Sequence, residues 1–270
     1  VVDLQKFNRE GYVTLPSFFQ PSEILKIKKD AQGIFVRQFV RHQYPNAENL
    51  DDATFLKNMK RLFQEDFSTF FSCGKHCQHL VSLHRHSLDQ RILNLLTDLQ
   101  VRSPVISTRP VMYFNHPDLA KKSSYWKMDP HQDWRSMQGS LNAIVIWMPM
   151  VDVDSSMGAL QIIPGSHRSG VLNADPKDNY RIIEPIEDSS YQSVNLQVGD
   201  ALAFSSFLVH RSGHLTQDAI RWSCHFRYND LEERTFIERG YPHTYIYKPI
   251  EELLHPEFPI VKEIAKIYEI

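Results

Sequence analysis

At 270 residues, with 42% hydrophobic and 11% aromatic side chains, the chain carries enough apolar material for a substantial core, and an all-β domain of this length is ordinary. A formal net charge of −2 gives bulk electrostatics no hold on nucleic acid or an anionic membrane. No stretch approaches the ~20 apolar residues of a membrane span, and no charged-then-apolar leader opens the sequence as given.

The first hundred residues read as helices. Pro21 suits a first helical turn, and Ile24, Ile27, Ala31, Ile34 and Phe35 follow at helical spacing. Phe55, Met59, Leu62, Phe63, Phe67 and Phe70 mark a second apolar stripe; Leu80, Leu83, Leu88, Ile92, Leu95 and Leu99 mark a third. These stripes are expected to pack on a sheet. Cys73 and Cys77 lie near His76 and His79, but a full ligand set at structural-zinc spacing is absent, so helix cysteines turned to a core are the better reading. With Cys224 they make three cysteines, too few for a disulfide framework, which favours a reducing, cytoplasmic setting.

Beyond residue 100 the texture changes to short β-rich runs at 105–114, 141–147, 159–163, 193–196, 201–204 and 220–228. Runs of this kind between turn residues predict a sandwich or barrel, and the jelly roll is the version that leaves an open mouth lined by inward residues. The expected fold is mainly β with flanking helices (α+β), a cupin-like double-stranded β-helix. It is read as one domain over 1–270: a helical flank to 100, a jelly-roll core at 101–230 and a C-terminal extension at 231–270. Two long stretches, 115–130 and 172–192, flank the segments that carry the chemistry and are expected to act as lids.

That chemistry begins at His131-Gln132-Asp133. Two histidines and one carboxylate make the facial triad that holds non-haem Fe(II) and leaves coordination positions open. On a strand, His131 and Asp133 would share a face and could grip one ion. An H-x-D triplet arises easily by chance in a chain with 13 histidines, so context decides. Residues 193–204 read as strand, Gly199-Asp200 turn, strand, after which the apolar Phe207-Leu208-Val209 ends in His210. A further strand sets Arg221 and Ser223 on one face. The guanidinium is a planar fork for a carboxylate such as the far end of 2-oxoglutarate, and the Ser223 hydroxyl could bond the same group. His131, Asp133 and His210 are therefore the candidate metal ligands and catalytic residues, and Arg221 with Ser223 the candidate cosubstrate anchor.

Residues 7–19, His131-Gln132-Asp133, the run from Gly158 to His167, Gly199-Asp200, His210-Arg211-Ser212-Gly213 and residues 221–226 together resemble the phytanoyl-CoA dioxygenase family of Fe(II)/2-oxoglutarate-dependent oxygenases. The resemblance spans nearly the whole chain. Its specific parts are Pro164-Gly165-Ser166-His167 beside the H-x-D and the spacing from His210 to Arg221. It implies an enzyme using Fe(II), O2 and 2-oxoglutarate, releasing succinate and CO2 while oxidising an unactivated C–H bond. Halogenating relatives lack the carboxylate that Asp133 supplies, so hydroxylation is the implied outcome, with desaturation and ring closure open to the same ligands. The resemblance also matches Trp147 and Met112 to cosubstrate-contacting residues, although each reads equally well as core. His167 reads as structural or rim rather than a fourth ligand, and His225 and Arg227 continue the face of Arg221. Trp134, Arg135, Arg168 and Arg227 are the candidates for substrate contact; their character suggests a polar or anionic small molecule. The competing reading is a cupin-like protein that binds metal or sugar without oxygenase chemistry, against which Arg221 and Ser223 argue.

Overall fold

The computed structural model describes residues 2–121, 128–178, 180–243 and 257–268. Part of the expected lid at 115–130, and part of the C-terminal extension, lie outside these residues. Helix α1 (Leu4–Glu10) is capped by Asp3, whose carboxylate accepts from Lys6 N at 2.8 Å, and it ends at Gly11 with φ 82°. A Cβ at Gly11 would stand 2.4 Å from His167 Nδ1, so both the left-handed turn and the close approach call for glycine. Strand β1 (Tyr12–Leu15) follows.

Helix α2 (Pro21–Arg41) starts on the expected proline, and the Glu23 carboxylate accepts from Gln20 N at 2.9 Å. The other two stripes each divide into two helices. α3 (Asp52–Glu65) and α4 (Phe67–Cys77) part at Asp66, which accepts from Thr69 N at 3.0 Å. α5 (Val81–Ser87) and α6 (Gln90–Asp98) part at Asp89, which accepts from Arg91 N at 2.9 Å. A carboxylate that can take an orphan N–H favours a fresh helix start at each point. Leu88, expected on the third stripe, falls at the break and is 58% exposed.

The strands after α6 are β2 (Pro104–Asn115), β3 (Ile144–Pro149), β4 (Leu160–Ile162), β5 (Ala174–Asp175), β6 (Arg181–Ile182), β7 (Gln192–Val194), β8 (Ala201–Ser205), β9 (His210–Ser212) and β10 (Arg221–Asp230). One antiparallel sheet runs β1-β8-β3-β10-β2 and a second runs β7-β4-β9, while β5 and β6 form a small hairpin. Val145, Trp147, Leu202 and Phe204 of the large sheet meet Leu160, Ile162 and Val194 of the small one in one apolar cluster. The fold is a double-stranded β-helix with helices covering the outer face of its larger sheet.

β10 shows why this matters for the site. It is buried along its whole length because both faces are covered. Trp222, Cys224, Phe226 and Tyr228 join the helix-side core with Phe35, Phe70 and Phe114. The alternate positions, Arg221, Ser223, His225 and Arg227, turn inward between the sheets. The helices α7 (Trp134–Met137), α8 (Arg234–Glu238) and α9 (Val261–Ile267) complete the described chain, and Tyr268 at the end of α9 meets the His167 ring edge-on at 4.3 Å. All three cysteines are buried free thiols. No helix among the described residues is long and apolar enough to cross a membrane.

Candidate metal centre

His131 and Asp133 do not share a strand, which corrects the alternation argument. His131 forms one antiparallel bridge with His210, its N donating to His210 O at 3.0 Å and its O accepting from His210 N at 3.1 Å. The chain then turns, so that Asp133 (φ −62°, ψ −27°) becomes the N-cap of α7, and Trp134 N donates to Ser206 O at 2.9 Å. A helical turn brings the carboxylate round to the imidazoles.

The three groups converge all the same. His131, Asp133 and His210 are buried and each offers a ligand atom within 4.8 Å of the others. His131 Nε2 lies 3.8 Å from Asp133 Oδ1, and the two imidazole centroids are 4.1 Å apart. His131 Nδ1 stands 2.7 Å from Asp129 O, and His210 Nδ1 stands 2.9 Å from Leu208 O. A carbonyl only accepts, so each Nδ1 carries the hydrogen. Burial lowers both imidazole pKa values, that of His210 to about 3, so the rings are neutral and each Nε2 keeps a free lone pair. That is the tautomer a metal takes. Burial alone would raise the Asp133 pKa, but the Arg227 guanidinium overrides it and holds the carboxyl well below the usual range. Two imidazole nitrogens and one ionised carboxylate fit a divalent first-row ion, and Fe(II) in particular.

Gln132, which sequence reasoning passed over, is 2% exposed. Its Nε2 donates to Gly170 O at 2.8 Å and to Phe207 O at 2.7 Å, while its Oε1 accepts from Leu172 N at 2.9 Å. One amide thus ties the H-x-D to the approach to His210 and to the root of the 172–192 segment. That segment contains the β5–β6 hairpin and meets the H-x-D again where Ile182 N donates to Pro130 O at 2.7 Å.

Arg221, 6% exposed, enters from the start of β10. Its guanidinium donates to Gly158 O, to Asn115 Oδ1 at 2.9 Å and to Ser212 Oγ at 3.3 Å. Ser212 belongs to the same three-residue strand as His210, which brings the guanidinium to the strand that carries a candidate ligand. Among the described residues Arg221 has no acidic partner, and its buried Nε has no hydrogen-bond partner. Desolvation lowers its pKa to about 10, leaving it charged at neutral pH.

The sequence profile of the family described as Phytanoyl-CoA dioxygenase (PhyH) matches residues 7–223. The chain belongs to the phytanoyl-CoA dioxygenase family. A Danio rerio protein, phytanoyl-CoA dioxygenase domain-containing protein 1, is 23% identical over 256 residues, covering 81% of this chain and 86% of that protein. Among solved structures the chain resembles the non-heme alpha ketoglutarate dependent epimerase SnoN from nogalamycin biosynthesis, at 20% identity over 84% of this chain and 81% of that one, TM-score 0.55. It also resembles EctD from S. alaskensis, at 16% identity over 86% of this chain and 78% of that one, TM-score 0.53. At such identities the likeness speaks to a shared fold.

The remaining phytanoyl-CoA dioxygenase family expectations divide by strand face. Trp147, 5% exposed, pairs with His225 and Leu202 and faces inward, as does Ser223. Met112 does not: it pairs with Cys224 and is buried in the helix-side core. Its neighbour Tyr113, opposite Ser223, holds the inward position, its ring 5.5 Å from that of His225. His225 itself is buried with an unpartnered Nε2, and desolvation keeps it neutral.

The four substrate candidates do not gather. Trp134, 1% exposed, stacks on Phe207 at 5.4 Å and packs beside Phe258, so it is a core residue, because the turn at Asp133 points the next side chain inward. Arg135 is half-buried and donates to Leu172 O at 2.6 Å. Arg168 is exposed on the short turn Ser166–Ser169. Arg227 reaches the candidate centre, where its Nη2 donates to Asp133 Oδ1 at 2.8 Å. His167 is buried with Nε2 3.1 Å from Asn8 O, away from the triad, in keeping with a structural part.

Proposed function

We propose that the chain is an Fe(II)/2-oxoglutarate-dependent dioxygenase that hydroxylates a polar small molecule. The observation that carries this reading is the Arg221 guanidinium. A buried cation without a counter-charge is costly, and the far carboxylate of 2-oxoglutarate would supply both the charge and a two-pronged hydrogen bond. His131, Asp133 and His210 would hold the iron, and Arg221 with Ser223 the cosubstrate. Bound together with O2, iron and 2-oxoglutarate supply an oxidative decarboxylation that yields succinate, CO2 and the oxidation of a C–H bond.

The chain's own part is positional. The bonds from His131 and His210 to Asp129 O and Leu208 O fix the ring orientations. Trp147 offers an apolar wall, and the cluster between the sheets keeps bulk water out. The 172–192 segment, rooted on Gln132, is proposed as the lid. Anaerobic titration tests the reading. A weak visible charge-transfer band is expected only when Fe(II) and 2-oxoglutarate are both present, with succinate formed once O2 is admitted. Metal binding with neither band nor succinate would favour a cupin-like binding protein instead.

A further inference from the structure

We propose that Arg227 is a positioning residue, whose guanidinium holds the Asp133 carboxylate facing His131 and His210 so that the three ligands stand assembled before a metal arrives. The proposal rests on reading Asp133 as a ligand. Three observations support it. First, both partners are buried, with side chains 10% and 4% exposed, and the bond from Arg227 Nη2 at 2.8 Å falls on Oδ1, the oxygen that lies 3.8 Å from His131 Nε2. A charge-assisted bond in such surroundings fixes a rotamer.

Second, Asp133 has a competing use for its carboxylate. It occupies the N-cap of α7, where an aspartate ordinarily accepts a backbone N–H from the first turn. Here the side chain makes no capping bond. The backbone at Asp133 is already helical (φ −62°, ψ −27°) rather than extended, which keeps the carboxylate off the helix terminus and leaves it to the guanidinium on β10. Third, β10 keeps an unbroken antiparallel register against β3 from Ser223 to Tyr228, with Arg227 opposite Val145. Arg227 therefore stays on the inward face with Arg221, Ser223 and His225, and the guanidinium it carries there ends on Asp133.

The substrate contact expected from the sequence would make a different demand. It would leave metal affinity alone and change the substrate KM. The test is the Mn(II) affinity of the metal-free protein, measured by calorimetry without cosubstrate. Arg227→Met should weaken it roughly 10- to 100-fold, the usual effect of losing a partner that orients a ligand. Arg227→Lys should weaken it less, roughly three- to tenfold, because a point charge does not hold a carboxylate in one orientation. In an Asp133→Asn background, Arg227→Met should change what Mn(II) affinity remains by less than about twofold, since the partner it positions is gone. At saturating metal, the half-saturation for 2-oxoglutarate should move little. Mn(II) affinity in Arg227→Met within twofold of the parent, or tighter, overturns the proposal. Should the methionine variant not fold, parent-like affinity in Arg227→Lys overturns it equally. If Asp133→Asn loses Mn(II) while Arg227→Met keeps it, the ligand assignment stands and only this proposal falls.

Discussion

Among the described residues, two clusters bring histidine and aspartate ligand atoms within 4.8 Å of one another, and they differ in almost everything else. His131, Asp133 and His210 are buried between two sheets. His116, Asp118 and Asp218 lie near the surface, with the two carboxylates 59% and 78% exposed. In the outer cluster Lys60 Nζ stands 2.9 Å from both carboxylates, and His116 Nε2 stands 2.9 Å from Asp218 Oδ1. An ammonium therefore sits where an ion would. In the inner cluster the nearby cation, Arg227, donates to one of the three groups, at Asp133 Oδ1. Ligand types at ligand distances recur; buried, correctly protonated donors beside an unneutralised anion site are what set the inner cluster apart.

The largest break in that contrast should come from Asp133→Ala. Succinate formation is expected to vanish while the circular dichroism spectrum stays. Arg227 then loses the buried carboxylate it donates to, so stability should fall by up to about 3–5 kcal/mol, read by denaturant unfolding. Near-parental turnover would remove Asp133 from the ligand set.

Arg221→Ala should come next. Losing one partner of a buried charged pair costs about 2–5 kcal/mol, so the half-saturation for 2-oxoglutarate should rise roughly 30-fold or more. Arg221→Lys should recover part of this, and Mn(II) affinity should survive both changes. An unchanged half-saturation would shift the anchor to another cation. Arg109 is a poor substitute, since it is exposed and its Nε donates to Gln78 Oε1 at 3.1 Å on the helix side.

His167 sharpens the part played by burial, the leading cause of its shift, because among the described residues no carboxylate contributes to it. Burial lowers its pKa to about 4, against about 6.5 in an unfolded chain. The unfolded state therefore binds the proton first. Stability is full above pH 6.5 and declines as the pH falls toward 4, by about 3 kcal/mol at that end. In His167→Gln the acid limb of the stability profile should be shallower by about that amount. A limb of parental steepness would assign the acid sensitivity to other groups.

Lys60→Ala should do least. Exposed ion pairs contribute at most about 1 kcal/mol, and the change should leave the Mn(II) stoichiometry of the protein as it was. A second bound ion in Lys60→Ala would show that the outer cluster is held back from metal only by its lysine.

How far all this could be read from the sequence varies with the kind of signal. The helical stripes and the six β-rich runs are where they were expected, since burial of one face leaves a periodicity that survives in the sequence. The breaks at Asp66 and Asp89 were less visible because the apolar spacing continues across them; only the capping carboxylates mark the new starts. The convergence of His131, Asp133 and His210 was legible as a set of residue types, but the means was not. A bridge followed by a helical turn does for Asp133 what strand alternation was expected to do. Met112 and Tyr113 show the other limit. β10 is covered on both sides and the run Val111–Phe114 of β2 is apolar on both faces, so hydrophobicity does not say which neighbour faces in, and a one-residue choice of register exchanges core for site. Trp134 failed for a related reason: adjacency to a ligand says little about direction once the chain has turned.

The three hydrogen bonds of Gln132 bear on how this architecture could be re-engineered. The amide fastens Leu172 at the root of the proposed lid while bracing the stretch before His210, and Ile182 N gives the loop a second hold on the centre at Pro130 O. A graft replacing residues 174–191 that keeps both holds, with an N–H still presented to Pro130 O, should retain parental Mn(II) affinity. Replacement of Gln132 itself would disturb the root and the centre together. If the segment is the lid, retuning recognition while preserving reactivity would come down to keeping those two holds, at Leu172 and at position 182.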